Sequence, residues 1–121
     1  PEGNVRSMKP TIEHEDGVET VTATIQVNGE EKVITGTGNG PLSAFASALN
    51  QAVGTKFSVT QYSQHDIHPE VGDTAQEAVC YVQVAHADQA PTYGVGLHSN
   101  IVTASFLAFV AAMNRNGALN A

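Results

Sequence analysis

The sequence predicts an α+β fold of two related β-rich units, each closed by a helix, so that helices cover antiparallel sheet and a pseudo-twofold repeat relates the halves. Three observations carry this. Apolar and polar residues alternate over several runs, the period of a half-buried strand. Two other runs switch to the i, i+3, i+4, i+7 spacing of a helix. Finally, the order strand, Gly36-x-Gly38, helix ending Ala48-Leu49-Asn50 returns as strand, Gly94-x-Gly96, helix ending Ala112-Met113-Asn114.

Residues 1–19 are polar, with Gly3, Pro10 and the acidic set Glu13, Glu15, Asp16 and Glu19, and read as an irregular linker or tail. From Thr20, the residues Val21, Ala23, Ile25 and Val27 alternate with Thr and Gln, giving a strand. Asn28-Gly29 then supplies the positive φ of a tight hairpin, with Lys32 to Thr37 as the returning strand. Pro41 suits the first position of a helix, since its missing amide hydrogen would be unpaired there anyway. Leu42, Phe45, Ala46 and Leu49 make one apolar stripe, and Gly54 is placed to end it. Phe57 to Gln64, Ala75 to His86 and Thr92 to Val95 read as strands.

The last helix spans about Asn100 to Arg115, with Ser99 as the expected N-cap and Gly117 beyond its end. It carries a bulky stripe, Val102, Phe106, Phe109, Val110 and Met113, beside a small one, Ala104, Ala108, Ala111 and Ala112. A helix apolar around so much of its circumference is either sandwiched in the core or partly buried by another chain. The expected divisions are therefore a tail at 1–19, one domain at 20–116 and a short tail at 117–121.

A chain of 121 residues is long enough for one domain with a real core and too short for two full-sized ones. Five Lys and Arg against twelve Asp and Glu leave a net charge of −7, which opposes phosphate backbones and anionic lipid; no nucleic-acid or membrane partner is expected. Only 6% of residues are aromatic and Trp is absent, so small side chains must let backbones pack closely. Cys80 is the single cysteine, which excludes an intramolecular disulfide and zinc-type cysteine patterns. Pro1 to Lys9 lacks a signal-type apolar core, and no run approaches the roughly 20 apolar residues of a membrane span. A cytoplasmic setting is expected. The chain starts with Pro rather than Met, which points to a processed or excised piece.

The glycine-rich turn before the first helix invites comparison with phosphate loops. A Walker A loop needs Gly-Lys-Ser/Thr where Gly40-Pro41-Leu42 stands, and a dinucleotide fingerprint needs a third Gly where Pro41 stands. Both fail. The turn is either purely structural or a helix N-terminus whose backbone amides suit a lone carboxylate. His65, Asp66, His68 and Glu70 cluster donor groups but match no zinc-enzyme motif, so no metal is assigned. Cys80 lies mid-strand on an apolar face, and no catalytic signature is present; the chain is expected to do no chemistry alone.

Taken in order, Gly36-Thr-Gly-Asn-Gly-Pro-Leu42, Tyr62 with His65, Gly72-Asp-Thr-Ala75-Gln, Tyr93-Gly-Val-Gly96 and Ile101-Val-Thr-Ala-Ser105 resemble the C-terminal regulatory domain of 2-isopropylmalate synthases. The related citramalate synthases carry the same domain type. The resemblance spans about Thr20 to Arg115 and implies two βββα-like units that form a homodimer and bind leucine as feedback inhibitor. It further implies a parent chain whose catalytic barrel, absent here, condenses acetyl-CoA with 2-oxoisovalerate using a divalent metal; no cofactor is implied for this chain.

The resemblance also implies an effector pocket. Gly38, Asn39, Gly40, Pro41, Leu42 and Ser43 would meet the ligand at the first helix start. Tyr62 and Ala75 would line the same pocket from the strands, and Ile101 would face it from the second motif. The residues themselves agree with this. Helix-start amides suit a carboxylate, Asn39 or backbone carbonyls an ammonium, and Leu42 and Ile101 an isobutyl group. The segment His65 to Asp73 is longer and more polar than the family's version, which bears on effector affinity and pocket shape; Leu97 to Asn100 lacks the family's acidic residues, so the two halves are expected to bind unequally.

Overall fold

A computed structural model describes residues 5–6, 10–27, 29–67, 77–86 and 89–116. The elements are β1 (Val5–Arg6), β2 (Thr11–Glu15), β3 (Val18–Val27), β4 (Glu30–Gly38), α1 (Pro41–Val53), β5 (Phe57–Ile67), β6 (Glu77–His86), β7 (Thr92–His98) and α2 (Ile101–Asn116).

In the first sheet β3 is central. It pairs with β4 on one edge and with both β1 and β2 on the other, all antiparallel. The pairings Arg6↔Gln26 and Thr11↔Thr22 place β1 and β2 along one edge as a single interrupted strand. The second sheet is β5-β6-β7, also antiparallel. Each sheet is followed by its helix, so the chain is βββα twice, the predicted pseudo-twofold repeat.

Strands form where alternation was read, but several run further. The hairpin register Val27↔Glu30 leaves a two-residue turn in which Gly29 takes φ 86°; Asn28 lies outside the described residues. β7 continues past Val95 to His98 and β5 past Gln64 to Ile67. The larger difference is at the N-terminal end, where an irregular segment was expected and β1 and β2 are found. β2 is exposed at all five positions, so it leaves no alternation to read; it is held by backbone pairing to β3 rather than by burial.

The repeated glycines explain how each helix meets its sheet. A Cβ on Gly36 would fall under 3.0 Å from backbone atoms of Ala44 and Ala48, and one on Gly94 would meet the backbone of Ala108 and Ala112 in the same way. Gly38 approaches Ser43 and Ala44, and Gly96 approaches Ala104 and Ala108. Aligned on Asn50 and Asn114, the Gly36 and Gly94 contacts fall at the same helix positions in the two units. The small stripe of α2 therefore packs on glycine, backbone to backbone. The bulky stripe turns the other way: Phe106 stacks on Phe45 of α1 at 4.3 Å, and Phe109 meets Phe45 edge-on at 6.1 Å. Most of both stripes is thus consumed inside one chain, with Ala104, Phe106, Ala108, Phe109, Ala112 and Met113 fully buried and Val102 and Ala111 partly so.

The helix ends are fixed differently. Gly54 adopts φ 73° and ends α1 as predicted. The cap of α2 is Asn100 rather than Ser99, because its Oδ1 accepts from the amides of Val102 and Thr103 at 2.9 and 3.0 Å. Among the described residues no helix is long and apolar enough to cross a membrane.

Candidate functional site

The starts of both helices and the middle of β5 enclose a cleft of about 380 Å³. Gly40, Pro41, Leu42 and Ser43 come from α1, Ile101, Val102 and Ser105 from α2, and Val59, Tyr62 and Gln64 from β5. That volume lies within the range of small-molecule sites, and two converging helix N-termini give it a positive end.

The two starts are not alike. In α2, Asn100 occupies the first-turn amides. In α1, the N-cap is Gly40, which has no side chain to cap with, and the first turn holds no acidic residue. Pro41 has no amide hydrogen, so Leu42 and Ser43 carry the first-turn donors that helix geometry leaves without an intrahelical partner. Gly40 sits at φ −155° in extended backbone, with open space where a Cβ would be. It is the lack of a side chain, rather than an unusual dihedral, that keeps this end open.

A β-bulge aims the third wall. The register of β5 on β6 shifts between Val59, opposite Val84, and Gln61, opposite Gln83, leaving Thr60 as the extra residue. Its hydroxyl bonds the Gln83 carbonyl and side-chain oxygens at 3.2 and 3.0 Å. Because of the slip, Val59 and Tyr62, three apart, both point to the inner face; Gln64 follows two residues on. Asn50, near the end of α1, then fixes β5 against that helix. Its amide donates to the Phe57 carbonyl and its oxygen accepts the Phe57 amide, both at 2.9 Å, along with the Thr55 hydroxyl at 2.8 Å.

Tyr62 is 44% exposed, yet its hydroxyl reaches inward. It donates to Gln64 Oε1 and lies 3.8 Å from Cys80 Sγ, which in turn is 3.7 Å from the Ile101 carbonyl. Desolvation and the bond to Cys80 push the Tyr62 phenol up to about 12, so it is a neutral hydrogen-bonding group throughout the physiological range. Burial likewise pushes the Cys80 thiol up, with the Tyr62 bond opposing. The thiol is therefore held in its unreactive form.

Six of the residues named from the sequence line the cleft: Gly40, Pro41, Leu42, Ser43, Tyr62 and Ile101. Gly38 does not; it faces the first turn of α1, where a Cβ would strike Ser43 and Ala44. Asn39 is exposed and is not among the lining residues. Ala75 lies outside the described residues. The cleft adds Val59, Gln64, Val102 and Ser105, which the sequence reading missed. Gln64 follows Tyr62 by a strand period and Ser105 follows Ile101 by a helical turn, so both had a signal; Val59 is brought in by the bulge and had none. Of the donor cluster, His68 and Glu70 lie outside the described residues, and the His65 ring rests edge-on to Tyr81 at 6.0 Å. No group of three or more His, Cys, Asp or Glu gathers around a common point among the described residues.

The sequence profile of the LeuA allosteric (dimerisation) domain matches residues 4–116, both βββα units together. The chain belongs to the LeuA allosteric (dimerisation) domain family. Its relatives include a 2-isopropylmalate synthase of Mycobacterium leprae, 39% identical over 115 residues, which are 95% of this chain and 18% of that protein. A 2-isopropylmalate synthase of Thermobifida fusca is 46% identical over 101 residues, 84% of this chain and 17% of that protein. One from Rhizobium johnstonii is 40% identical over 119 residues, 95% of this chain and 20% of that protein. The LeuA-type domain described here thus spans about a fifth of the length of these relatives. Its matched region includes β2, which places that edge strand within the family's own unit.

Proposed function

We propose that this chain is the effector-sensing part of a 2-isopropylmalate synthase and that the cleft binds leucine as feedback inhibitor. The observation that supports this most directly is the uncapped start of α1 inside an otherwise apolar cleft. A free amino acid would bring its carboxylate to the Leu42 and Ser43 amides, supplying the cap that Gly40 cannot. Its side chain would lie against Leu42, Val59, Ile101 and Val102, all packed partly on the core. The Gln64 side-chain oxygen, at the same rim, is the group placed to take the ammonium. Among the described residues no Lys or Arg lines the cleft, which disfavours a phosphorylated ligand.

On this reading the chain is regulatory rather than catalytic. The condensation of acetyl-CoA with 2-oxoisovalerate, and the divalent metal it uses, belong to a barrel elsewhere in the parent protein. Calorimetry with a panel of leucine, isoleucine and valine tests the proposal. Saturable heat strongest with leucine is expected. Strongest heat with isoleucine would move the reading to a citramalate synthase, and no heat with any of the three, from a folded chain, would leave a purely structural pairing domain.

A further inference from the structure

We propose that Ser105 is a specificity-determining residue of the cleft: its hydroxyl oxygen accepts a hydrogen bond from the α-ammonium group of the effector, and so selects an amino acid over the same carbon skeleton without the amine. This deepens the effector reading above and rests on it.

Ser105 lines the cleft, is only 4% exposed, and is the sole buried polar side chain among the described residues. Packing does not account for it. The fully buried small positions around it on α2, Ala104, Ala108 and Ala112, are all alanine, which fills such a site and favours a helix more than serine does. Nor does the helix need the hydroxyl. Its bond to the Val102 carbonyl at 2.7 Å, three residues back, competes with the backbone ladder instead of completing it.

The repeat does not explain this wall either. Counted back from Asn114 and Asn50, Ser105 falls where Pro41 opens α1, so α2 begins one turn earlier than its counterpart. Ile101 and Val102, in that extra turn, and Ser105, directly after it, are the residues that α2 contributes to the cleft. The first unit has no equivalent helical turn. The buried hydroxyl therefore stands on the part of the second unit that distinguishes it from the first.

Hydrogen-bond capacity sets what the hydroxyl can recognise. A serine oxygen carries one proton and two lone pairs, and here the Val102 carbonyl takes the proton, so toward the cleft the oxygen can only accept. An ammonium group brings three N–H donors. Among the described residues no Asp or Glu lines the cleft, so neutral oxygens must receive them. Gln64 Oε1 already accepts the Tyr62 hydroxyl, and the Tyr62 oxygen has Cys80 Sγ beside it at 3.8 Å. The Ser43 hydroxyl lies back against Gly38. Ser105 thus supplies the accepting capacity that Gln64 alone lacks. A ligand with a keto oxygen in place of the amine would set acceptor against acceptor, and one with neither would leave the buried oxygen unpaired.

Calorimetry with leucine and with 4-methylpentanoate, which keeps the carboxylate and the branched chain but lacks the ammonium, tests this. Leucine should bind the unaltered chain more tightly. Ser105→Ala should weaken leucine at least about tenfold, the size of one hydrogen bond to a charged group, and leave 4-methylpentanoate within about threefold. Without ligand its melting temperature should hold or rise, since alanine is the better helix former. Ser105→Thr keeps the hydroxyl and adds a methyl group; it should lower both affinities and keep their ratio within about threefold of the unaltered chain's. Leucine affinity unchanged in Ser105→Ala, or lowered equally for both ligands, overturns the assignment of Ser105 and leaves leucine binding itself standing. Equal binding of the two ligands by the unaltered chain overturns recognition of the ammonium. Absence of leucine heat from the unaltered chain removes the effector reading and this assignment with it.

Discussion

Gly40 occupies a position where most proteins place Ser, Asp or Asn, and this choice exposes the start of α1 to whatever enters the cleft. The same geometry makes Gly40→Asp a clean probe. The backbone there is extended and a Cβ meets open space, so Asp can cap the helix and stability should hold or rise by a few tenths of a kcal/mol. Its carboxylate would then hold the amides assigned to the effector. Leucine affinity measured by calorimetry should fall at least about tenfold, a change of roughly 1.4 kcal/mol, in a chain whose melting point is unchanged or higher. Unchanged affinity would remove this loop from the site. Tyr62 gives a second residue-scale test through pH. Its folded pKa is about 12 against 10.0 ordinarily, so between those values the folded chain holds a proton that the unfolded chain has lost. Stability present below pH 10 is therefore lost as pH rises through that window. Tyr62→Phe should flatten this part of the alkaline decline in melting temperature and leave the profile below pH 9 unaltered in shape.

At the scale of elements, the Gly-x-Gly pairs serve packing. Of these four glycines the resemblance assigns only Gly38 to the ligand loop, yet Gly36, Gly38, Gly94 and Gly96 all approach helix backbone. Gly94→Ala should cost about 1–3 kcal/mol in urea unfolding, because the obstructing atoms are main-chain atoms of Ala108 and Ala112 that no rotamer change can move. Asn50→Ala should cost a similar ~1–3 kcal/mol, leaving the Phe57 amide and carbonyl without their partner at the junction that sets β5 against α1. These elements also show what the sequence could and could not convey. Alternation in Val21 to Ile25, Pro41 and Gly54 announced β3 and both ends of α1, because each reports a local rule of burial or dihedral. The edge strand β2 was illegible, since exposed residues that pair only by backbone leave no pattern. The bulge at Thr60 was equally hidden, as it depends on register against β6, and with it went Val59. Asn100 was passed over for its neighbour Ser99 because both are good caps, and only the turn geometry chooses between them.

The whole molecule places its cleft where the two units meet, and this has a thermodynamic consequence. One wall comes from α1 of the first unit; the others come from β5 and α2 of the second. A ligand seated there contacts both units and has no site to bind once they separate. It must therefore stabilise the folded chain as a whole, by RT ln(1 + [L]/Kd), or about 2.7 kcal/mol at 100 times the dissociation constant. The two helix starts should report it together. Saturating leucine should slow hydrogen exchange at the Leu42 and Ser43 amides through direct bonding. Amides of the first turn of α2, already held by Asn100, should slow only to the extent that opening of the cleft is suppressed. Protection confined to α1 would mean that the ligand caps one helix without bridging the units. Protection in both, with a rise in global stability near the value set by mass action, is the result that a shared site requires. Because this readout is taken at fixed protein concentration within one assembly state, it separates effector binding from pairing of the chains.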